Sequence, residues 1–330
     1  MKNWIENRRV LAAFSDPAGA KAVLAFLWLH RQSGYMVTAV SDRVHSFYRD
    51  FGIPVRDFSE RDAASWLEGV DVVVTGTSVP HRIEVELIEL AAQGGIPTHT
   101  FIDHWTNLRA RFGPTCMPDT IAVIDERARA LAVADGLPEA SLRVTGNPYH
   151  DFLRTWVPKL GRAELAASLG LAQGVPILIY APEPLARFGL KSVYGFDEID
   201  GLRAVRAALA AHGLGRFSLI IKAHPNQEHA LFESELAARP DPRITYLRDG
   251  DLPTLCFHSA AVLGFFSNSL LEARLLARPV VRVLVGLAEG AADVLTPFEA
   301  PDFRAAYDQA SLVRMLRDVL HLPESGIIPS

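Results

Sequence analysis

Short apolar runs rich in Val, Ile and Leu alternate with longer helical stretches along the whole chain. This alternation is the strongest constraint on the fold, because strands that lie consecutively in a sheet but run parallel need a crossover helix between them. Residues 9–14, 36–40, 71–75, 98–102, 121–123 and 142–144 read as strands, and 18–32, 80–93 and 126–134 as helices between them. Gly146, Asn147 and Pro148, followed by Pro158 and Gly161, punctuate the pattern. The alternation then restarts, with strands at 177–180, 219–222, 244–247, 261–263 and 280–284. The helices of this half are 162–169, 202–212, 229–238 and 269–277, the second of them ending at His212 before Gly213. An amphipathic helix at 312–320 closes the chain. The expected fold is α/β, with two doubly wound, Rossmann-like domains over residues 1–150 and 151–330 and the last helix packing back on the first. A ligand is expected in a cleft between the carboxyl ends of their strands.

A length of 330 residues agrees with two domains, and 49% hydrophobic against 22% charged residues is a globular balance. The net charge of -5 argues against a nucleic-acid partner. Cys116 and Cys256 are far apart and imply no disulfide framework, which fits a reducing cytoplasm. The most apolar run, 22–29, falls short of the ~20 residues of a membrane span, so membrane association is expected to be at most peripheral. Lys2, Arg8 and Arg9 precede an apolar stretch that Asp16 and Pro17 cut too short for a signal peptide.

Ligands of parallel sheets sit beyond the carboxyl ends of the strands, which selects five segments. After the first strand, Asp16 and Pro17 suit a helix cap, while Gly19 can let a ligand approach the backbone. Thr77 lies in a small polar turn before the next helix, where capping also accounts for it. Asp103, His104 and Trp105 form a carboxylate, imidazole and indole cluster. Asp103 can take a proton from a hydroxyl and Trp105 can stack on a sugar face, or Asp103 can pair with Arg109 or Arg111 and do no chemistry. Lys222, His224 and Pro225 end a strand, with Pro225 fixing the turn and His224 placed to donate to a phosphate. Ser267, Asn268, Ser269 and Glu272 open a helix. Ser269 and Glu272 match a capping box, and the same hydroxyls and free N–H groups suit an anion.

Other chemistries find less support. No H-E-x-x-H spacing occurs, and Asp249-Gly250-Asp251 reads as the cap of a following helix, so neither a metal nor another cofactor is expected. The dinucleotide fingerprint, the P-loop and the nucleophile elbow are also missing.

With the five segments in this order, the chain resembles the GT-B glycosyltransferase superfamily, which includes the non-hydrolysing UDP-N-acetylglucosamine 2-epimerases. Residues 144–148 resemble the interdomain segment of those proteins, and 267–272 followed by 278–281 resemble their nucleotide-binding helix and next strand. The resemblance implies that Glu272 holds a ribose. His224-Pro225 and Ser267-Asn268-Ser269 are also similar to motifs of bacterial sialyltransferases and Kdo transferases, which use CMP-linked sugars. There the histidine and serines contact the donor's phosphate or nucleotide, and an acidic base stands in the first domain, for which Asp103 is the counterpart.

The function expected from these readings is a metal-independent sugar transfer from a CMP- or UDP-linked donor to a glycan, lipid-linked or protein acceptor. Lys222, His224, Pro225, Ser267, Asn268, Ser269 and Glu272 would hold the donor, and Asp103 would serve as base beside His224. Asp16, Gly19, Thr77, His104 and Trp105 would border the acceptor. The alternatives are a UDP-sugar 2-epimerase or nucleotide-sugar hydrolase of the same fold, and a binding protein without catalysis.

Overall fold

The computed structural model describes residues 4–114, 117–210, 217–291 and 303–320. Cys116, His212 and Gly213 lie outside the described residues. The chain divides into two compact units, Met1–Thr155 and Trp156–Ser330.

The first unit runs β1 (Arg9–Ala13), α1 (Pro17–Leu29), β2 (Met36–Ser41), β3 (Val55–Asp57), β4 (Val72–Thr75), α2 (Ile83–Gln93), β5 (Thr98–Phe101), β6 (Thr120–Val123), α3 (Glu126–Ala134), β7 (Leu142–Val144) and α4 (Pro148–Thr155). Its seven strands are all parallel in the order β3-β2-β1-β4-β5-β6-β7. The strand order therefore reverses between β1 and β4, which pair with Ala13 opposite Thr75. Helix α2 packs Ile83, Leu87 and Ala91 onto Leu11, Ala13 and Val73. The short β3 escaped the sequence reading because Val55-Arg56-Asp57 holds one apolar residue. Pro148 opens α4 instead of merely ending a strand, since a proline in the first helical turn gives up an N–H that has no partner there. Helix α2 starts at Ile83 and not at Pro80, because Arg82 has a non-helical backbone with φ -137° and ψ -137°.

The second unit runs α5 (Arg162–Ser168), β8 (Ile177–Tyr180), α6 (Lys191–Tyr194), α7 (Glu198–Ala210), β9 (Ser218–Lys222), α8 (His229–Ala238), β10 (Ile244–Leu247), α9 (Leu252–His258), β11 (Ala261–Gly264), α10 (Asn268–Leu275), β12 (Val280–Val283), β13 (Arg304–Ala306) and α11 (Gln309–Val319). Its six parallel strands take the order β10-β9-β8-β11-β12-β13, so the reversal falls between β8 and β11. Strands β8, β11 and β12 are buried along their whole length, as interior parallel strands must be. Helix α11 turns Leu312 and Leu316, one helical turn apart, into this core and packs on α7, β12 and β13 of its own unit. Asp251 takes the N-cap position of α9, but its side chain makes no capping bond and instead accepts the Thr254 hydroxyl.

A glycine stands at each reversal. A Cβ on Gly19 would lie 2.8 Å from both N and O of Thr77, and one on Gly264 would lie 2.8 Å from the Ala181 carbonyl oxygen. Gly19 thus faces the backbone after β4 and is buried there, so it offers no approach to a ligand. The Gly19→Ala protein should lose about 1–3 kcal/mol of stability, because backbone cannot yield as a flexible side chain would. Gly94→Ala, whose new Cβ would meet its nearest atom at 3.6 Å, should stay within ~0.5 kcal/mol of wild type. Denaturant titration followed by tryptophan fluorescence checks both, since Trp4, Trp28, Trp66 and Trp105 all belong to the first unit. An unchanged midpoint for Gly19→Ala would refute the close approach.

Candidate functional site

In the first unit the turns after β1 and β4 are tied together by a buried carboxylate. Glu84 Oε1 accepts the Ser15 N–H at 2.8 Å and the Ser78 hydroxyl at 2.6 Å. Burial raises the Glu84 pKa, and the Ser78 and Ser15 bonds work against that rise. Asp16 takes the N-cap position of α1 with an extended backbone, yet its side chain does not cap. Its Oδ2 accepts the Val79 N–H at 3.1 Å, and its Oδ1 lies 3.4 Å from Arg43 Nη1.

The Asp103 cluster is built differently from the open arrangement its sequence suggested. Asp103 Oδ1 accepts from Arg111 Nη1 at 3.0 Å, and both side chains are more than nine-tenths buried. The same nitrogen donates to Thr77 Oγ1 at 2.8 Å, so Thr77, Asp103 and Arg111 form one polar knot across the ends of β4 and β5. Of the two arginines proposed as partners, the geometry selects Arg111. Arg109 instead donates to the carbonyl oxygens of Phe112 and Gly113. His104 Nδ1 accepts the Thr106 N–H at 3.2 Å, which leaves the proton on Nε2, and burial lowers its pKa. Trp105 is committed elsewhere: its Nε1–H donates to Asp125 at 2.9 Å, and its ring packs on a cluster that includes Leu108 and Ile121. Asp125 is in turn the N-cap of α3, so the indole N–H anchors a helix start.

In the second unit the reversal gathers the ends of β8, β9, β11 and β12. Ser267, not Ser269, is the N-cap of α10, which removes the capping box from Ser269 and Glu272. The Ser267 side chain makes no capping bond and meets the Ser269 hydroxyl, so both hydroxyls stand at the first turn beside its unpaired N–H groups. Glu272 is buried one turn further on. His224 Nδ1 accepts the Asn226 N–H at 3.1 Å, which places the ring proton on Nε2. Burial, with Lys222 adding to it, lowers the His224 pKa to about 4, so the imidazole is a neutral donor near neutrality. Lys222 directs its ammonium to the carbonyl oxygens of Ala223 at 2.8 Å and Arg248 at 3.2 Å, which ties the ends of β9 and β10. Pro225 is exposed in the turn that follows.

Three residues that the sequence reading passed over belong to this region. Glu183, just beyond β8, accepts the Phe266 N–H through Oε1 at 2.7 Å, and burial raises its pKa to about 7. Arg282, on β12 opposite Gly264, is 2% exposed and donates from Nε to the Phe265 carbonyl at 3.0 Å. Glu198 is fully buried and receives the Ala186 N–H at 2.9 Å and the Gln227 amide at 2.7 Å, fastening the loops after β8 and β9. An arginine inside the apolar run 280–284 was the available signal for Arg282, because such a charge must find polar partners when buried. Among the described residues no three of His, Cys, Asp and Glu come together as a metal site would require, and no helix is long and apolar enough to cross a membrane.

No protein-family model matches the chain, and no curated protein matches it in sequence. Solved structures do match in fold. The UDP-GlcNAc 2-epimerase of Methanocaldococcus jannaschii aligns with a TM-score of 0.65 and 11% identity, over 94% of this chain and 92% of that one. The UDP-GlcNAc 2-epimerase of Neisseria meningitidis bound to UDP-GlcNAc aligns with a TM-score of 0.63 and 16% identity, over 95% and 91%. Anabaena HepE in complex with UDP-glucose aligns with a TM-score of 0.61 and 13% identity, over 94% and 89%. The expected sugar transfer from a CMP- or UDP-linked donor to an acceptor is corrected by these matches, two of which are named as UDP-GlcNAc 2-epimerases. The chain has the GT-B-like fold of two Rossmann-like units.

Proposed function

We propose that this chain is an enzyme that binds a UDP-linked N-acetylhexosamine and returns it with carbon 2 of the sugar inverted, as a UDP-sugar 2-epimerase. The observation that carries this reading is the reversal of the second sheet. There the start of α10, two serine hydroxyls and buried Arg282 lie at the ends of β11 and β12, and a neutral His224 donor follows β9, on the far side of β8 in the same sheet. Helix starts and arginines favour phosphate oxygens, and a diphosphate has enough of them to engage several donors at once. Ser267, Asn268, Ser269, Lys222, His224 and Pro225 are assigned to the diphosphate side, and Glu272 to the ribose. The names of the matched structures, two of which were determined with UDP-GlcNAc or UDP-glucose, support a UDP-sugar over other nucleotides.

Inverting carbon 2 requires its proton to leave while the C–H electron pair expels UDP from carbon 1. UDP then adds back as a new proton arrives on the other face, so groups able to exchange protons must reach the sugar. Asp103 is assigned that role, with Arg111, itself bonded to Thr77, orienting its carboxylate. Incubation of the protein with UDP-N-acetylglucosamine, followed by proton NMR, should show a second UDP-N-acetylhexosamine with no acceptor added. Release of UDP and free sugar would shift the assignment to a hydrolase, and unchanged substrate with folded protein would refute the reading.

Replacing His224 with alanine should weaken UDP binding by roughly 1.5–3 kcal/mol, the usual worth of a hydrogen bond to a charged group. Because its pKa is depressed to about 4, His224 is neutral in the folded protein well below the ordinary histidine range. The ratio of the two affinities should therefore hold steady between about pH 6 and 8, changing only as His224 gains a proton nearer its own pKa. Calorimetry on both proteins tests this, and equal affinities would remove His224 from the site.

Asp103→Asn should bind UDP as wild type does but lose about 10²–10⁴-fold in turnover. It should also melt at a lower temperature, since the buried Arg111 guanidinium keeps a hydrogen bond but loses its countercharge. A folded variant that melts lower yet retains wild-type turnover would leave Asp103 a purely structural partner of Arg111.

A further inference from the structure

We propose that Glu183 is a phosphate-binding residue that acts in its protonated form, donating a hydrogen bond from Oε2 to a ligand oxygen at the start of α10. The inference rests on the reading of the second unit as a nucleotide site and adds to it a group that none of the assigned motifs contains.

The geometry divides the work of the two carboxyl oxygens. Oε1 accepts the Phe266 N–H at 2.7 Å, one residue before the N-cap of α10. Oε2 is buried and has no hydrogen-bond partner. Phe266 leads directly into the Ser267 and Ser269 hydroxyls, so the carboxyl is fastened to the turn where an anion would bind. An ionised carboxylate there would carry an uncompensated lone pair in a buried place and would repel a phosphate. A protonated one has neither fault, because its O–H becomes a donor aimed at the group that needs donors.

The surroundings agree. The charged and titratable groups that act on Glu183 or feel it are Arg282 on β12, Tyr180 on β8 and Tyr194 on α6. Burial holds both phenols neutral, and Glu198 on α7 acts on Tyr180 in the same sense as Glu183. Arg282 is the cation among them, and its Nε is already donated to the Phe265 carbonyl. Burial outweighs the backbone N–H groups of Phe266, Glu183 and Phe265 and that cation, all of which favour the charged form, and places the Glu183 pKa at about 7. A bound diphosphate adds negative charge and raises it further, so binding above that pH must draw one proton from solvent.

The test is calorimetry of UDP-glucose binding to the full chain, whose diphosphate has no group titrating between about pH 6 and 8.5. Wild type should take up close to one proton per ligand at pH 8.5, read from the difference between two buffers of unlike ionisation enthalpy. Its affinity should fall by up to about tenfold per pH unit above pH 7.5. Glu183→Gln keeps the acceptor for Phe266 and carries a permanent N–H donor, so it should bind with little pH dependence and exceed wild type roughly tenfold at pH 8.5. Binding without proton uptake by wild type overturns the inference alone, and this measurement needs no variant to fold. Parallel pH profiles for wild type and a folded Glu183→Gln protein overturn it equally. Failure of folded wild type to bind either UDP-glucose or UDP at any pH overturns the nucleotide reading and carries the inference with it.

Discussion

The parallel pairing of β1 with β4, and of β8 with β11, is the constraint on which the rest of each unit depends. From each such pair the chain leaves toward opposite edges of the sheet, so the two turns diverge and leave backbone polar groups open between them. Closing the gap takes small residues, and Gly19 and Gly264 supply them where a Cβ would strike backbone. Keeping the turns aligned takes polar ties. Glu84 supplies one between β1 and β4, and Glu183 supplies the other between β8 and β11. Both carboxyl groups are buried, and burial pushes both toward the neutral form. The same solution recurs in two units of different sequence because the same geometric problem recurs.

What could be read from the chain follows from where its physical signals lie. Strands β8 and β10 and helices α3 and α8 match the expected bounds residue for residue, because apolar runs and helical periodicity are properties of contiguous residues. The edge strands β3 and β13 are three residues each and half polar, too short for a periodic signal. The strand-end rule brought Asp103, His224 and Ser267 into view as candidates. It did not assign their partners, since the Asp103–Arg111 contact spans a turn whose path the local sequence does not encode. Trp105 shows the same limit: the partner of its N–H, Asp125, lies twenty positions on. Glu183 was overlooked for a related reason. Ala181-Pro182-Glu183-Pro184 carries no motif, and the importance of its carboxyl comes from Phe266, 83 residues later.

Charge balance separates the two strand-end regions and bears on which can hold an anion. In the first unit the buried cation Arg111 is matched by Asp103 at 3.0 Å, with Thr77 completing the set, so the knot is internally neutral. A neutral, hydrogen-bonded knot of this kind suits hydroxyl groups, which ask for orientation more than for charge. In the second unit the acids near the α10 turn are disposed otherwise. Glu183 is drawn toward its protonated form and Glu198 is engaged by two N–H donors from the loops after β8 and β9. To the extent that Glu183 carries a proton, it does not offset the positive end of the α10 start. A phosphate restores the balance, whereas a neutral sugar would leave it unmet. A helix start without a side-chain cap, beside an acid drawn toward neutrality, is the electrostatic support for the proposed placing of the nucleotide in the second unit.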